Sequence, residues 1–180
     1  MKKILAAMAG LALAGSAANA AFITINLNQV FSVDELGDVD NIVGSFATGF
    51  ANGQVVGIGW DVSIFADSPS YLSEAAVAFG STTNFNAINY PLTLTPGNGD
   101  DFPGTQTYSS AGVIDLVGLG FDFALDADGL LWLEFFEGFD DFANDWDGIW
   151  NGTLTIEVIP TPSSFALLGF AGLVAGRRRR

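Results

Sequence analysis

Val56-Gly57-Ile58-Gly59-Trp60-Asp61-Val62-Ser63-Ile64 carries an apolar side chain at every second position. Successive side chains of a strand point to opposite faces, so this stretch reads as a strand with one face in a core and the other in water. The same period-two pattern recurs near both ends of the body. Ile23, Ile25 and Leu27 alternate with Thr24, Asn26 and Asn28, and Leu154, Ile156 and Val158 alternate with Thr153, Thr155 and Glu157. One-sided strands of this kind must be covered by a second layer.

Between them lie weaker strand candidates at residues 75–79, 90–95, 112–119, 121–125 and 130–136. The last lacks alternation and reads as a strand covered on both faces. Turn clusters separate them: Ser68-Pro69-Ser70, Pro96-Gly97-Asn98-Gly99 and Asp126-Ala127-Asp128-Gly129. The 31–40 stretch, with four acids and few apolar residues, reads as loop. No amphipathic helix of usual length and no fixed-period repeat is visible in the body. The expected fold is therefore all-β: a single antiparallel β-sandwich or jelly roll over residues 21–158. An N-terminal signal helix and a short C-terminal hydrophobic helix are expected to flank it. A body of about 140 residues suffices for one domain burying roughly two-thirds of its surface.

Charge bounds the chemistry. All 20 acidic residues lie between Ala21 and Val158, whereas the six basic residues are Lys2, Lys3 and Arg177 to Arg180. The body thus has no Lys, Arg or His and a formal charge of −20. It should repel nucleic acid, whose binders neutralise phosphates with Lys and Arg, and anionic headgroups likewise. Divalent cations or a cationic polymer are its natural electrostatic partners. The chain has no Cys, so no disulfide can form, and without Cys or His it lacks the usual zinc ligands and the Ser-His-Asp and Cys-His catalytic sets.

The ends carry targeting signals. Lys2 and Lys3, the apolar run from Ile4 to Leu13, and Ala18-Asn19-Ala20 form a secretory signal over residues 1–20, with cleavage expected to leave Ala21 first. At the other end, residues 159–180 hold Pro160-Thr161-Pro162, an apolar stretch from Phe165 to Gly176, and Arg177-Arg178-Arg179-Arg180. Twelve helical residues span about 18 Å, less than the roughly 30 Å of a hydrocarbon core. Such a segment suits transient membrane contact with its arginines left in the cytoplasm.

This tail resembles the PEP-CTERM sorting signals of bacterial exosortase substrates, in a Pro-Thr-Pro variant where Thr161 stands in place of the usual Glu. The resemblance covers about the last twenty residues. It implies an exported envelope or extracellular-matrix protein, initially tethered by its C-terminus and handled by an exosortase-like processing enzyme, in families that often accompany exopolysaccharide production. A second likeness is shorter: Asp147-Gly148-Ile149-Trp150-Asn151-Gly152-Thr153-Leu154-Thr155-Ile156-Glu157-Val158 is similar to the final strands of bacterial P-domain-like jelly rolls.

Carboxylates are the chemical groups the body holds in quantity. Asp126-Ala127-Asp128-Gly129 and Asp145-Trp146-Asp147-Gly148 have the Asp-x-Asp-Gly spacing that can open a calcium loop, although neither completes the EF-hand pattern. Asp126, Asp128, Asp145 and Asp147 are the candidate calcium ligands. Glu134 and Glu137 can be nominated as a glycosidase pair, but so can almost any pair among so many acids. Trp146 is a loop aromatic available to a sugar, whereas Trp60, Trp132 and Trp150 read as core. The leading expectation is a non-enzymatic exported sandwich with no catalytic residues. The alternative is a calcium-assisted carbohydrate-binding module of the cell surface or exopolysaccharide matrix.

Overall fold

The computed structural model describes residues 20–139, 141 and 146–161. Among the described residues ten strands and two short helices follow one another: β1 (Ala21–Ser32), β2 (Ile42–Ala47), β3 (Gln54–Ala66), β4 (Ala75–Gly80), α1 (Thr82–Ala87), β5 (Leu92–Leu94), β6 (Gly104–Ser109), β7 (Ile114–Asp115), α2 (Leu116–Leu119), β8 (Phe123–Ala124), β9 (Leu130–Glu137) and β10 (Gly148–Ile159). They form two antiparallel sheets, one ordered β1-β10-β3-β6 and the other β2-β9-β4-β5, with β7 and β8 as short additions along β3. Leaving out those two additions, eight strands wrap in a jelly-roll order, each sheet drawing its neighbours from distant parts of the chain.

The three alternating stretches become the adjacent strands β1, β10 and β3 of the first sheet. Ile25, Ile58, Val62, Ile64, Trp150, Leu154, Ile156 and Val158 are all buried in one core. The register departs from simple alternation at one point. Glu157 pairs with Gly57 and Val158 with Val55, so Val56 is the extra residue of a bulge and Val55 enters the main core in its place. The second sheet contributes Val77, Phe79, Leu131, Leu133 and Phe135 to the same core. Phe135 meets Trp150 edge-on across the sheets, with ring centroids 5.5 Å apart.

β9 is indeed covered on both sides. Its odd-numbered residues face the first sheet, while Trp132, Glu134 and Phe136 face outward, where Trp132 stacks on Phe85 of α1 at 4.1 Å. Ser81 caps α1 in a capping box with Asn84.

Four expectations change. The 112–119 stretch is not one strand: Asp115 accepts a hydrogen bond from the Val117 amide and starts α2, which Gly120 ends in the left-handed region. The 90–95 candidate shortens to Leu92–Leu94, the 121–125 candidate shortens to Phe123–Ala124, and the expected loop at 31–40 gives its first two residues, Phe31 and Ser32, to β1. Two strands escaped the alternation pattern, β2 and the polar β6. Among the described residues no helix is long and apolar enough to cross a membrane. The signal segment up to Asn19 and the tail from Pro162 onward, with Ala18, Pro162 and Arg177 to Arg180, lie outside the described residues.

Candidate functional site

The end of the sandwich where β1 and β9 finish and β10 begins gathers carboxylates from several segments. Asp147 leads into β10: its amide donates to the Ser32 carbonyl at 3.1 Å, and its own carbonyl accepts from the Asp67 amide at 2.8 Å. The Asp147 side chain is buried, and its Oδ2 accepts from the Asp141 amide at 3.3 Å. Glu137 closes β9, its amide donating to the Asp34 carbonyl at 2.9 Å, and the next amide, Gly138, donates to the Glu74 carbonyl at 2.8 Å. Four chain segments are thereby tied together by backbone hydrogen bonds around two buried acids.

Glu137 is the unusual group. It is 1% exposed, and neither carboxylate oxygen makes a hydrogen bond among the described residues. Burial pushes its carboxyl up to about 8; the nearby Ser32 hydroxyl opposes the rise, and the charges of Asp147, Glu74 and Asp141 add to it. Ser32 itself accepts from Trp150 Nε1 at 3.3 Å. Gly148 lets these groups pack closely, because a Cβ there would lie 2.5 Å from Ser32 Oγ and 2.8 Å from Glu137 Oε1.

Glu134, on the same strand, is treated differently. Its carboxylate accepts from the Gly37 amide, from Asn41 Nδ2 at 3.0 Å and from the Tyr90 hydroxyl at 2.7 Å. Burial and the Glu134 carboxylate both raise the Tyr90 hydroxyl above its ordinary pKa, keeping it a donor. Because Glu134 and Glu137 are three apart on a strand, they face opposite sides of the sheet and cannot flank one scissile bond. Glu134 instead floors an open cavity of about 420 Å³ lined by Gly37, Asp38, Val39, Phe85 and Ile88.

The Asp-x-Asp-Gly acids are placed as follows. Asp126 accepts from the Thr83 amide at 2.6 Å, and Asp128 accepts from Thr82 Oγ1 at 2.6 Å and from the Leu130 amide at 3.0 Å. They hold the start of α1 and the turn into β9. Asp147 lies beyond the other end of β9, a strand of eight residues, or roughly 25 Å away. The structure therefore does not bring Asp126 and Asp128 together with Asp147, and Asp145 lies outside the described residues.

A further acidic group lies in the β1–β2 loop, where carboxylate oxygens of Asp34, Asp38 and Asp40 come within 4.8 Å of one another. Spacing alone did not single out these three, because they surround turn residues with no Asp-x-Asp-Gly pattern. Trp146, the loop aromatic, packs against Phe31 and Phe65 with centroids at 5.8 and 6.2 Å. Ala20 and Ala21 stand at the entry of β1; Pro160 and Thr161 follow β10 directly.

No family model matches the chain, and no curated protein matches it. Among solved structures, the chain is similar to the infectious bursal disease virus Gt strain at 12% identity, covering 84% of this chain and 36% of that one, with a TM-score of 0.38. It is similar to the VP2 subviral particle of infectious bursal disease virus at 14% identity, covering 86% and 38%, with a TM-score of 0.35. Tomato aspermy virus follows at 14% identity, covering 82% and 80%, with a TM-score of 0.28. The chain spans little more than a third of the two bursal disease virus chains. Likenesses this distant carry no argument about function; the jelly roll stands on its own strand order.

Proposed function

We propose that this chain is an exported, non-enzymatic β-sandwich protein of the cell envelope or extracellular matrix, delivered by an exosortase-like system that reads its Pro-Thr-Pro tail. The observation that supports this reading is the register of the terminal strands. Ala21 pairs with Val158, so the expected signal junction and the linker that opens at Pro160 leave the sandwich side by side from one sheet. Every strand among the described residues lies between Ala21 and Ile159, so neither flanking segment contributes a described strand to either sheet.

The test is localisation of the chain with and without residues 160–180, with mass spectrometry of the native product. The expected results are retention in the envelope or matrix only with the tail, and a mature chain lacking Arg177 to Arg180. Persistence of the arginines in mature protein would favour a permanent anchor instead.

A second reading, a carbohydrate-binding module, is favoured by the cavity over Glu134. Apolar Val39, Phe85 and Ile88 face carboxylates there, a combination that suits the apolar faces and hydroxyls of a sugar. Calorimetric titration with exopolysaccharide tests it, and absence of heat would count against it.

A further inference from the structure

We infer that the end of the sandwich between Glu137 and Asp147 is a divalent-cation site, and that its ion is calcium. Both Glu137 oxygens are buried without a hydrogen bond among the described residues, and strand alternation turns the carboxylate toward the interior. Gly148 packs directly against Oε1, 2.8 Å from where a Cβ would stand, so the carboxylate is enclosed by backbone on that side. Asp147, fully buried, immediately precedes Gly148, and Glu74 and Asp141 bring like charges from two more segments.

A bare carboxylate is not tolerated in an interior unless it is paired, coordinated or neutralised. The usual pairing is closed to this chain, since no Lys, Arg or His stands between Ala21 and Gly176. The fold satisfies a buried carboxylate with neutral donors at Glu134 and does not do so at Glu137. A proton would neutralise one of two neighbouring buried acids, whereas a divalent ion answers both charges and supplies the partner that Glu137 lacks among the described residues. With oxygen as the sole ligand type, the ion is hard; two carboxylates from different segments, with carbonyl and water oxygens completing the shell, suit the large, flexible coordination of calcium better than the tight octahedron of magnesium.

The inference does not depend on how the chain is exported, and its failure would leave the localisation result untouched. The test is thermal unfolding and calorimetry of the full chain, stripped with chelator and titrated with calcium chloride, beside Glu137→Gln, Asp147→Asn and Asp38→Asn. Calcium at a hundred times its Kd should raise the wild-type Tm by about 5–10 °C. Glu137→Gln, which keeps the shape and removes the charge, should fold in chelator and lose the response. Asp147→Asn should weaken calcium binding at least tenfold, and Asp38→Asn, in the exposed loop cluster, should keep wild-type binding. A calcium response equal in wild type and Glu137→Gln, or none in wild type, overturns the inference; a response lost only in Asp38→Asn places the ion in the loop and also overturns it.

Discussion

Raising the pH of the calcium-free chain from 5 to 8 should destabilise it, and Glu137 should account for most of the loss. Its carboxyl is raised from 4.5 to about 8 by burial, with Asp147, Glu74 and Asp141 adding to the effect and Ser32 opposing it. In the unfolded chain the group ionises near 4.5, so between the two values the folded state holds a proton that the unfolded state has released. Stability is then present in full below about 4.5 and falls as the pH rises through about 8. At about 1.4 kcal/mol for each tenfold change in proton affinity, the loss approaches roughly 4–5 kcal/mol, an upper bound because water penetration relaxes buried charges. That is a large part of the ~5–15 kcal/mol that holds a typical domain. The assay is urea unfolding at pH 5, 6, 7 and 8 in chelator, for wild type and Glu137→Gln. The many surface acids repel one another in both proteins, so the difference between the two curves isolates the buried group. The wild-type midpoint should fall steeply while the Glu137→Gln midpoint changes little. Parallel decline in the two proteins would refute the reasoning.

Gly152→Ala should cost at least about 2 kcal/mol in urea unfolding, because Gly152 has φ +117° and an added Cβ would meet the Asp61 carbonyl oxygen at 2.2 Å. Leu133→Ala, at a fully buried position of the main core, should cost roughly 2–5 kcal/mol by the same assay. The double substitution Asp126→Asn with Asp128→Asn should leave calcium titration unchanged and destabilise the chain by about 1 kcal/mol, since these acids hold the start of α1. Hydrogen bonding from Thr83 lowers the Asp126 carboxyl below its ordinary value, so its share of that stability is present at neutral pH and disappears as the pH falls through its folded-state value, which wild-type and Asp126→Asn acid-unfolding curves would register.

The strands that carry the fold were legible because period two and burial coincide in them, as at Leu154, Ile156 and Val158. β6 was hidden because its sequence, Gly-Thr-Gln-Thr-Tyr-Ser, is polar and lies at a sheet edge, where one-sided burial leaves little trace. The bulge at Val56 was also hidden, since pairing across β3 and β10 decides which of two adjacent valines turns inward. At the candidate site, Asp147 stood in a recognisable Asp-x-Asp-Gly spacing. Glu137 did not, although counting alternate residues from Leu131 through Leu133 and Phe135 puts it on the core face. What the spacing could not contain is its neighbourhood, because Ser32, Glu74 and Asp147 reach it only through long-range strand pairing and loop hydrogen bonds.

Glu134 and Glu137 together give the strongest internal comparison in the molecule. They share a strand, a charge type and near-complete burial, at 2% and 1% exposure. Glu134 lies on the outward face, where the loop after β1 and the Tyr90 segment can fold over it and supply an amide, a side-chain amide and a hydroxyl. Glu137 lies on the inward face at the rim of the core, where its neighbours are other acids, Ser32 and the closely packed Gly148. A neutral residue at 137 would remove the buried charge, and a chain under pressure for stability alone would gain from that change. A buried charge without a basic partner is what a binding site for a cation requires, and the lack of any basic side chain in the body leaves that cation to come from solution.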